Sequence, residues 1–207
     1  MKRLLHIIAT PHGDESRTLQ VTEVFLETFA QSHSDWVVDT LDLSKEELPS
    51  LITRRVDGRY VLLEGMELHG VLKELWNNII AHIENFLSAD GYLISTPMWN
   101  FNIPYMLKHY IDIIVQPKYL FRYVDSGTEG LVTNRKMIII TSRGNDYLSA
   151  QWQNFDYHEP YLRTIFGYVG ITDITFIIAQ PTDGDKDIQI QKIKEAQILA
   201  KQIAERF

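Results

Sequence analysis

Residues 91–115 read "GYLISTPMWNFNIPYMLKHYIDIIV". Gly91–Ser95 is a short apolar run of strand length. Pro104 then opens a segment whose Met106, Leu107, Tyr110, Ile111 and Ile114 recur every three or four residues, so they share one helical face. A buried strand that runs straight into a helix is half of a βαβ unit, and parallel strands need such crossovers. The junction between them is unusual. Turns favour small polar residues, yet this one keeps Met98, Trp99 and Phe101, with Asn100 and Asn102 on either side of Phe101.

The same alternation continues in both directions. Leu4–Ala9 is an apolar run that ends in "TPHGDESRT", and Val21, Val24, Phe25 and Phe29 then fall on one helical face. Trp36–Leu41 reads as a second strand. Residues 43–65, "LSKEELPSLITRRVDGRYVLLEG", show no period that assigns them. Leu68–Leu87 reads as a helix with Val71, Leu72, Leu75, Ile79 and Ile83 toward the core. Lys136–Thr141 is a fourth strand, Tyr161–Val169 a helix and Ile174–Ala179 a fifth strand. A last helix carries Ile190, Ile193, Ala196 and Ile203. Five β segments joined by helices predict an α/β fold with a parallel sheet covered on both faces. The chain has 207 residues and is 45% apolar, which predicts one domain over residues 1–207 with a sizeable core. Sheets of this kind bind ligands beyond the carboxyl ends of their strands.

Composition excludes several classes. With no cysteine, disulfides, thiolate metal sites and a Cys nucleophile are ruled out. A net charge of −7 argues against nucleic acid as a partner, because phosphate backbones need a basic face. The seven histidines form no pair at metal-ligand spacing, so no metal is expected. The apolar run at the start is too short for a signal core, and no stretch approaches the roughly 20 apolar residues of a membrane span. A soluble, cytoplasmic protein with no membrane partner is the expectation.

Three strand-to-helix junctions carry the candidate chemistry. In "TPHGDESRTLQ", Thr10, Ser16 and Thr18 bring hydroxyls to a helix start, where unpaired N–H groups and the helix dipole suit a phosphate. The same residues also suit plain helix capping. Neither G-x-G-x-x-G nor G-x-x-x-x-G-K-[ST] is present, which speaks against a Rossmann dinucleotide loop and a P-loop. In "PMWNFNIP", a local hydrophobic plug and a seat for a flat heteroaromatic ligand both account for the residues, since the asparagine amides donate and accept. In "TSRGNDY", residues 141–147, Gly144 lets backbone approach a ligand closely. An ordinary polar turn accounts for it too.

Taken together, "ATPHGDESRT", "PMWNFNIP", "FRYVDSGTEGLV", "TSRG" and "YLRTIFGYVGIT" resemble the FMN-dependent NADH:quinone oxidoreductases known as azoreductases. The resemblance covers nearly the whole chain. It implies a flavodoxin-like fold with five parallel strands in the order 2-1-3-4-5, bound FMN, and NADH or NADPH as electron donor. It further implies a quinone or azo acceptor, two-electron ping-pong hydride transfer and a homodimer. By position, the FMN phosphate would meet Thr10, Ser16, Arg17 and Thr18. Pro97, Met98, Trp99, Asn100 and Phe101 would line the isoalloxazine ring. Ser142, Arg143, Gly144 and Asn145 would meet its pyrimidine side. No side chain is implied as catalytic, because the flavin performs the redox step. The family loop commonly reads S-R-G-G, and Asn145 stands in its last place here. The histidine that often follows this loop is replaced by Tyr147, with His158 further on. A flavodoxin-type electron carrier that binds FMN without oxidising nicotinamide is the alternative reading. A receiver-type signalling domain would need an acidic cluster at the end of strand one, where this chain has Thr10, Pro11 and His12.

Residues 116–135, "QPKYLFRYVDSGTEGLVTNR", are an excursion with no place in a five-stranded core. They read as two short strands around "DSGTEG". A hairpin folded onto its own chain is one outcome. The resemblance implies another, in which Phe121 and Tyr123 roof the partner's substrate pocket and Tyr110 and Ile114 supply dimer contact.

Overall fold

The structure, a computed structural model, describes residues 1–52 and 54–207, with Asp14 described by its backbone alone. Seven strands and six α-helices follow in the order β1 (Lys2–Ile8), α1 (Arg17–Ser32), β2 (Trp36–Asp42), α2 (Arg54–Leu63), α3 (Gly70–Leu87), β3 (Gly91–Ser95), α4 (Tyr105–Ile114), β4 (Phe121–Val124), β5 (Gly127–Gly130), β6 (Lys136–Ser142), α5 (Glu159–Tyr168), β7 (Asp173–Ala179) and α6 (Lys186–Glu205). The main sheet runs β2-β1-β3-β6-β7, and each of its strand pairs is parallel. Counting only these five strands, the order is the expected 2-1-3-4-5.

The central strands are largely apolar because helices cover both faces, and all five residues of β3 are buried. Successive side chains alternate between two cores. Leu5, Ile7, Tyr92, Ile94, Met137 and Ile139 join α3, α4 and α5 on one face. Leu4, Leu93, Ile138 and Ile140 join Phe25 and Phe29 of α1 and Ala196 and Ala200 of α6 on the other.

Helix α2 lies within the segment whose sequence shows no period. Of its ten residues only Gly58 and Leu62 are buried, so it has almost no apolar stripe to read. It is held by a close contact instead. A Cβ on Gly58 would lie 2.2 Å from the Trp76 Nε1, and that indole donates to the Arg55 carbonyl at 2.9 Å.

Two groups of expected contacts are corrected. Val71 and Ile190 are exposed, each near the start of its helix, and not toward the core. Tyr110 and Ile114 are fully buried within their own chain, so they are core residues of α4 and not a dimer surface. Among the described residues, no helix is long and apolar enough to cross a membrane.

The excursion is an antiparallel hairpin in which Phe121 pairs with Gly130 and Val124 with Gly127, leaving Asp125 and Ser126 at the turn. Its base is docked on its own chain. Val132 N donates to the Val169 carbonyl at 2.9 Å, and a Cβ on Gly130 would lie 2.3 Å from the Gly170 nitrogen. Only glycine fits there.

Candidate functional site

Strands β1, β3, β6 and β7 end side by side, with Ile8 opposite Ser95 and Ser142 opposite Ala179. Beyond those ends lies a cavity of about 440 Å³. Its walls include Thr10, Ser16 and Arg17 from the β1 side, Pro97, Met98 and Trp99 from the β3 side, and Ser142 and Gly144 from the β6 side. Eight expected residues from three separate junctions are thus brought together. The sequence reading missed His12, Glu15, Thr182 and Asp183, which complete the lining. For the last two a signal was present: "QPTDGD" follows the fifth strand, at the same carboxyl end as the other loops.

The β1 wall is a helix start. Ser16 caps α1, accepting from the Leu19 N–H at 3.4 Å, and it also accepts from the Thr10 hydroxyl at 2.9 Å. With both lone pairs used, its own proton is left to donate toward the cavity. Thr18 is fully buried beneath this wall, and its hydroxyl bonds the Ser142 hydroxyl at 2.8 Å, tying α1 to β6. A buried polar chain continues below. Thr22 Oγ1 donates to the Thr18 carbonyl at 3.0 Å and lies 2.8 Å from Ser95 Oγ, which lies 2.9 Å from His6 Nε2. One proton per hydroxyl fixes the directions: Ser95 donates to Thr22, so His6 must donate through Nε2. Burial lowers the His6 pKa to about 4, so the ring is neutral.

The β3 wall is a tight turn. Trp99 and Asn102 exchange backbone hydrogen bonds at 2.8 and 2.9 Å, and Asn100 and Phe101 between them have φ of 47° and 68°. Two left-handed central residues make a type I′ turn, which favours Asn-Gly; here phenylalanine takes the glycine place. Such a bulky residue at positive φ is strained and persists only where its surroundings hold it. The Phe101 carbonyl accepts from the Tyr157 N–H at 3.0 Å, and its ring packs 5.3 Å from that of Phe155. Trp99 remains 44% exposed at the mouth. Asn100 and Trp99 also border an adjoining cavity of about 530 Å³ with Tyr105 and Tyr161.

The β6 wall is fixed from behind. Thr182 N and Asp183 N both donate to the Gly144 carbonyl at 3.1 Å. A Cβ on Gly144 would lie 2.3 Å from Asp183 Oδ2, so a larger residue there would have to displace the Asp183 carboxylate. Asn145 is half-buried, has no left-handed φ and does not line the cavity. The Arg143 side chain is 2% exposed, and its guanidinium pairs with Asp156 at 2.8 Å and Glu159 at 3.5 Å. Asp156 Oδ1 in turn accepts from the N–H groups of His158 and Glu159 at the start of α5. Arg143 therefore anchors the loop to α5. His158 is fully buried with no partner for either ring nitrogen, and burial, helped by the Arg143 charge, lowers its pKa to about 3.

Of the expected roof residues, Phe121 is 2% exposed and packs 4.9 Å from the Tyr168 ring, whereas Tyr123 is 61% exposed. Among the described residues no group of three or more His, Asp or Glu could hold a metal ion.

A family model described as "Flavodoxin-like fold" matches residues 2–203. The FMN-dependent NADH:quinone oxidoreductase of Nitratidesulfovibrio vulgaris (strain DP4) is 34% identical over 209 residues, covering 100% of both chains. The crystal structure of an FMN-dependent NADH-azoreductase from Bacillus anthracis str. Ames Ancestor, in complex with FMN, superposes with a TM-score of 0.85 at 27% identity, covering 99% of this chain and 100% of that one. An azoreductase from Bacillus anthracis str. Sterne shares the fold with a TM-score of 0.91 at 24% identity over 100% of both chains. With its sheet order, its cavity at the strand ends and these full-length matches, the chain belongs to the family of FMN-dependent NADH:quinone oxidoreductases on the flavodoxin-like fold.

Proposed function

We propose that residues 1–207 form one FMN-binding domain that uses NADH or NADPH to reduce quinones and azo compounds, by ping-pong transfer and as a cytoplasmic homodimer. The observation that carries this reading is the division of the cavity. One wall offers hydroxyls, a guanidinium and a helix start, and the other offers Met98, Trp99 and loop backbone. A ligand with a phosphate at one end and a flat heteroaromatic ring at the other suits both.

Thr10, Ser16 and Arg17, with the first-turn N–H groups up to Thr18, would hold the phosphate. The Thr18 hydroxyl, bonded to Ser142, would set the distance between that helix start and β6. Pro97, Met98, Trp99, Asn100 and Phe101 would flank the ring, shield it from water and leave one face for a flat partner. Ser142 and Gly144, with the backbone of Asn145, would meet the pyrimidine edge, and Arg143 would hold the loop in place from behind, since its side chain is committed to Asp156 and Glu159 and its backbone to Ala179 and Thr182. When bound, FMN supplies the two-electron redox chemistry between a nicotinamide donor and the acceptor. Fixed backbone N–H groups at Gly144 and Asn145 would stabilise negative charge on the pyrimidine edge without reorganising. No side chain need act as nucleophile, and protons can come from solvent.

The exposed Tyr123 would roof the pocket of a second subunit, and the buried Phe121 would set the angle of the hairpin. Trp99, Tyr105 and Tyr123 are exposed aromatic residues of the kind that oligomer contacts use.

Purified protein should elute near twice 24.1 kDa. That species should carry flavin and oxidise NADH with a benzoquinone, giving parallel double-reciprocal lines. Intersecting lines would overturn the ping-pong order, and a fully active monomer would overturn the shared pocket. A flavin-loaded protein that leaves NADH untouched would favour an electron carrier.

A further inference from the structure

Arg17 is the one guanidinium among the described residues that line the cavity, and it is already engaged. Its Nη1 donates to Asp183 Oδ1 at 2.6 Å. Asp183 is no loose partner. Its loop is clipped to the β6 wall through the Gly144 carbonyl, and Thr182 adds bonds from both its N–H and its hydroxyl to the Arg143 carbonyl at 2.9 Å. The other carboxylate of the lining, Glu15, lies 3.7 Å from the imidazole of His12. The two carboxylates of the lining, Glu15 and Asp183, outnumber its one guanidinium. A phosphate entering there meets like charge, and the cation that would receive it is paired with a carboxylate.

We infer that Asp183 is a selectivity residue of the cofactor site, competing with the ligand's phosphate for Arg17. The inference rests on the FMN reading of this cavity. Two consequences separate it from a merely structural role. Its effect must depend on the charge of the ligand's tail, and it must act through Arg17. Riboflavin has the same ring and ribityl chain but no phosphate, so it does not enter the competition.

The test is fluorescence titration of full-length, flavin-stripped protein with FMN and with riboflavin. Asp183→Asn, which keeps the side-chain shape, should bind FMN about fivefold more tightly, the scale of a partly exposed ion pair. Its riboflavin affinity should not change. In an Arg17→Met background the gain from Asp183→Asn should shrink. Unchanged or weaker FMN binding in Asp183→Asn would overturn the competition, and so would an equal change for both flavins. A gain that persists in full without Arg17 would reduce Asp183 to simple repulsion and overturn it as well. If the wild-type chain binds neither flavin, the FMN reading itself fails and takes this inference with it.

Discussion

His6 and His158 set how this fold responds to acid. A histidine in the unfolded chain takes up a proton near pH 6.5, while the folded chain resists until about pH 4 at His6 and about pH 3 at His158. Between these values the unfolded state binds more protons, so stability falls as pH falls. From pH 6.5 to pH 5 the loss is roughly 2 kcal/mol for each residue. His158→Leu should remove about half of this slope in urea unfolding followed across that range, and an unchanged slope would contradict the burial argument. Neither residue was legible as a titrating group in the sequence. A histidine inside an apolar strand shows no period, and His158 is buried by a loop whose course depends on the Arg143–Asp156 pair. Serine, threonine and glycine at the strand ends were legible, because helix starts and tight loops favour those residues wherever they occur.

At the scale of elements, all five strands of the main sheet are legible to within a residue or two, since each is a short apolar run between polar breaks. Helix α2 is not legible, because Gly58 against Trp76 replaces an apolar stripe. The turn at Trp99–Asn102 is not legible either. Its left-handed pair reads Asn-Phe, where local chemistry would call for Asn-Gly, and tertiary contacts from Tyr157 and Phe155 hold it. The hairpin was legible as two short strands, but its seating was not. Gly130 lies against the backbone of Gly170 and Val169, which cannot move aside as a side chain would. Gly130→Ala should therefore cost about 1–3 kcal/mol in unfolding free energy. It should also raise the KM for quinone while leaving FMN content unchanged. A fully stable variant with normal KM would show that the hairpin base is not fixed by this contact.

Across the whole molecule, a parallel sheet brings loops from four strand ends to one cavity, although they are separated by as much as 173 residues from Thr10 to Asp183. Three of those loops were legible in combination: the one after β3 departs from ordinary turn composition, and the hydroxyls after β1 and the glycine after β6 suit a ligand as well as a cap or a turn. The fourth, after β7, is built from common turn residues, so its place after the fifth strand, and not its composition, is the signal that Thr182 and Asp183 belong to the site. On the proposed reading, this arrangement holds a flavin that meets two partners in succession. The most direct test is an anaerobic titration of the purified, FMN-loaded protein followed by its visible spectrum. One equivalent of NADH should bleach the bound-flavin band, and one equivalent of benzoquinone should restore it. A band that dithionite bleaches but NADH does not, or a protein that retains no FMN at all, would contradict the account.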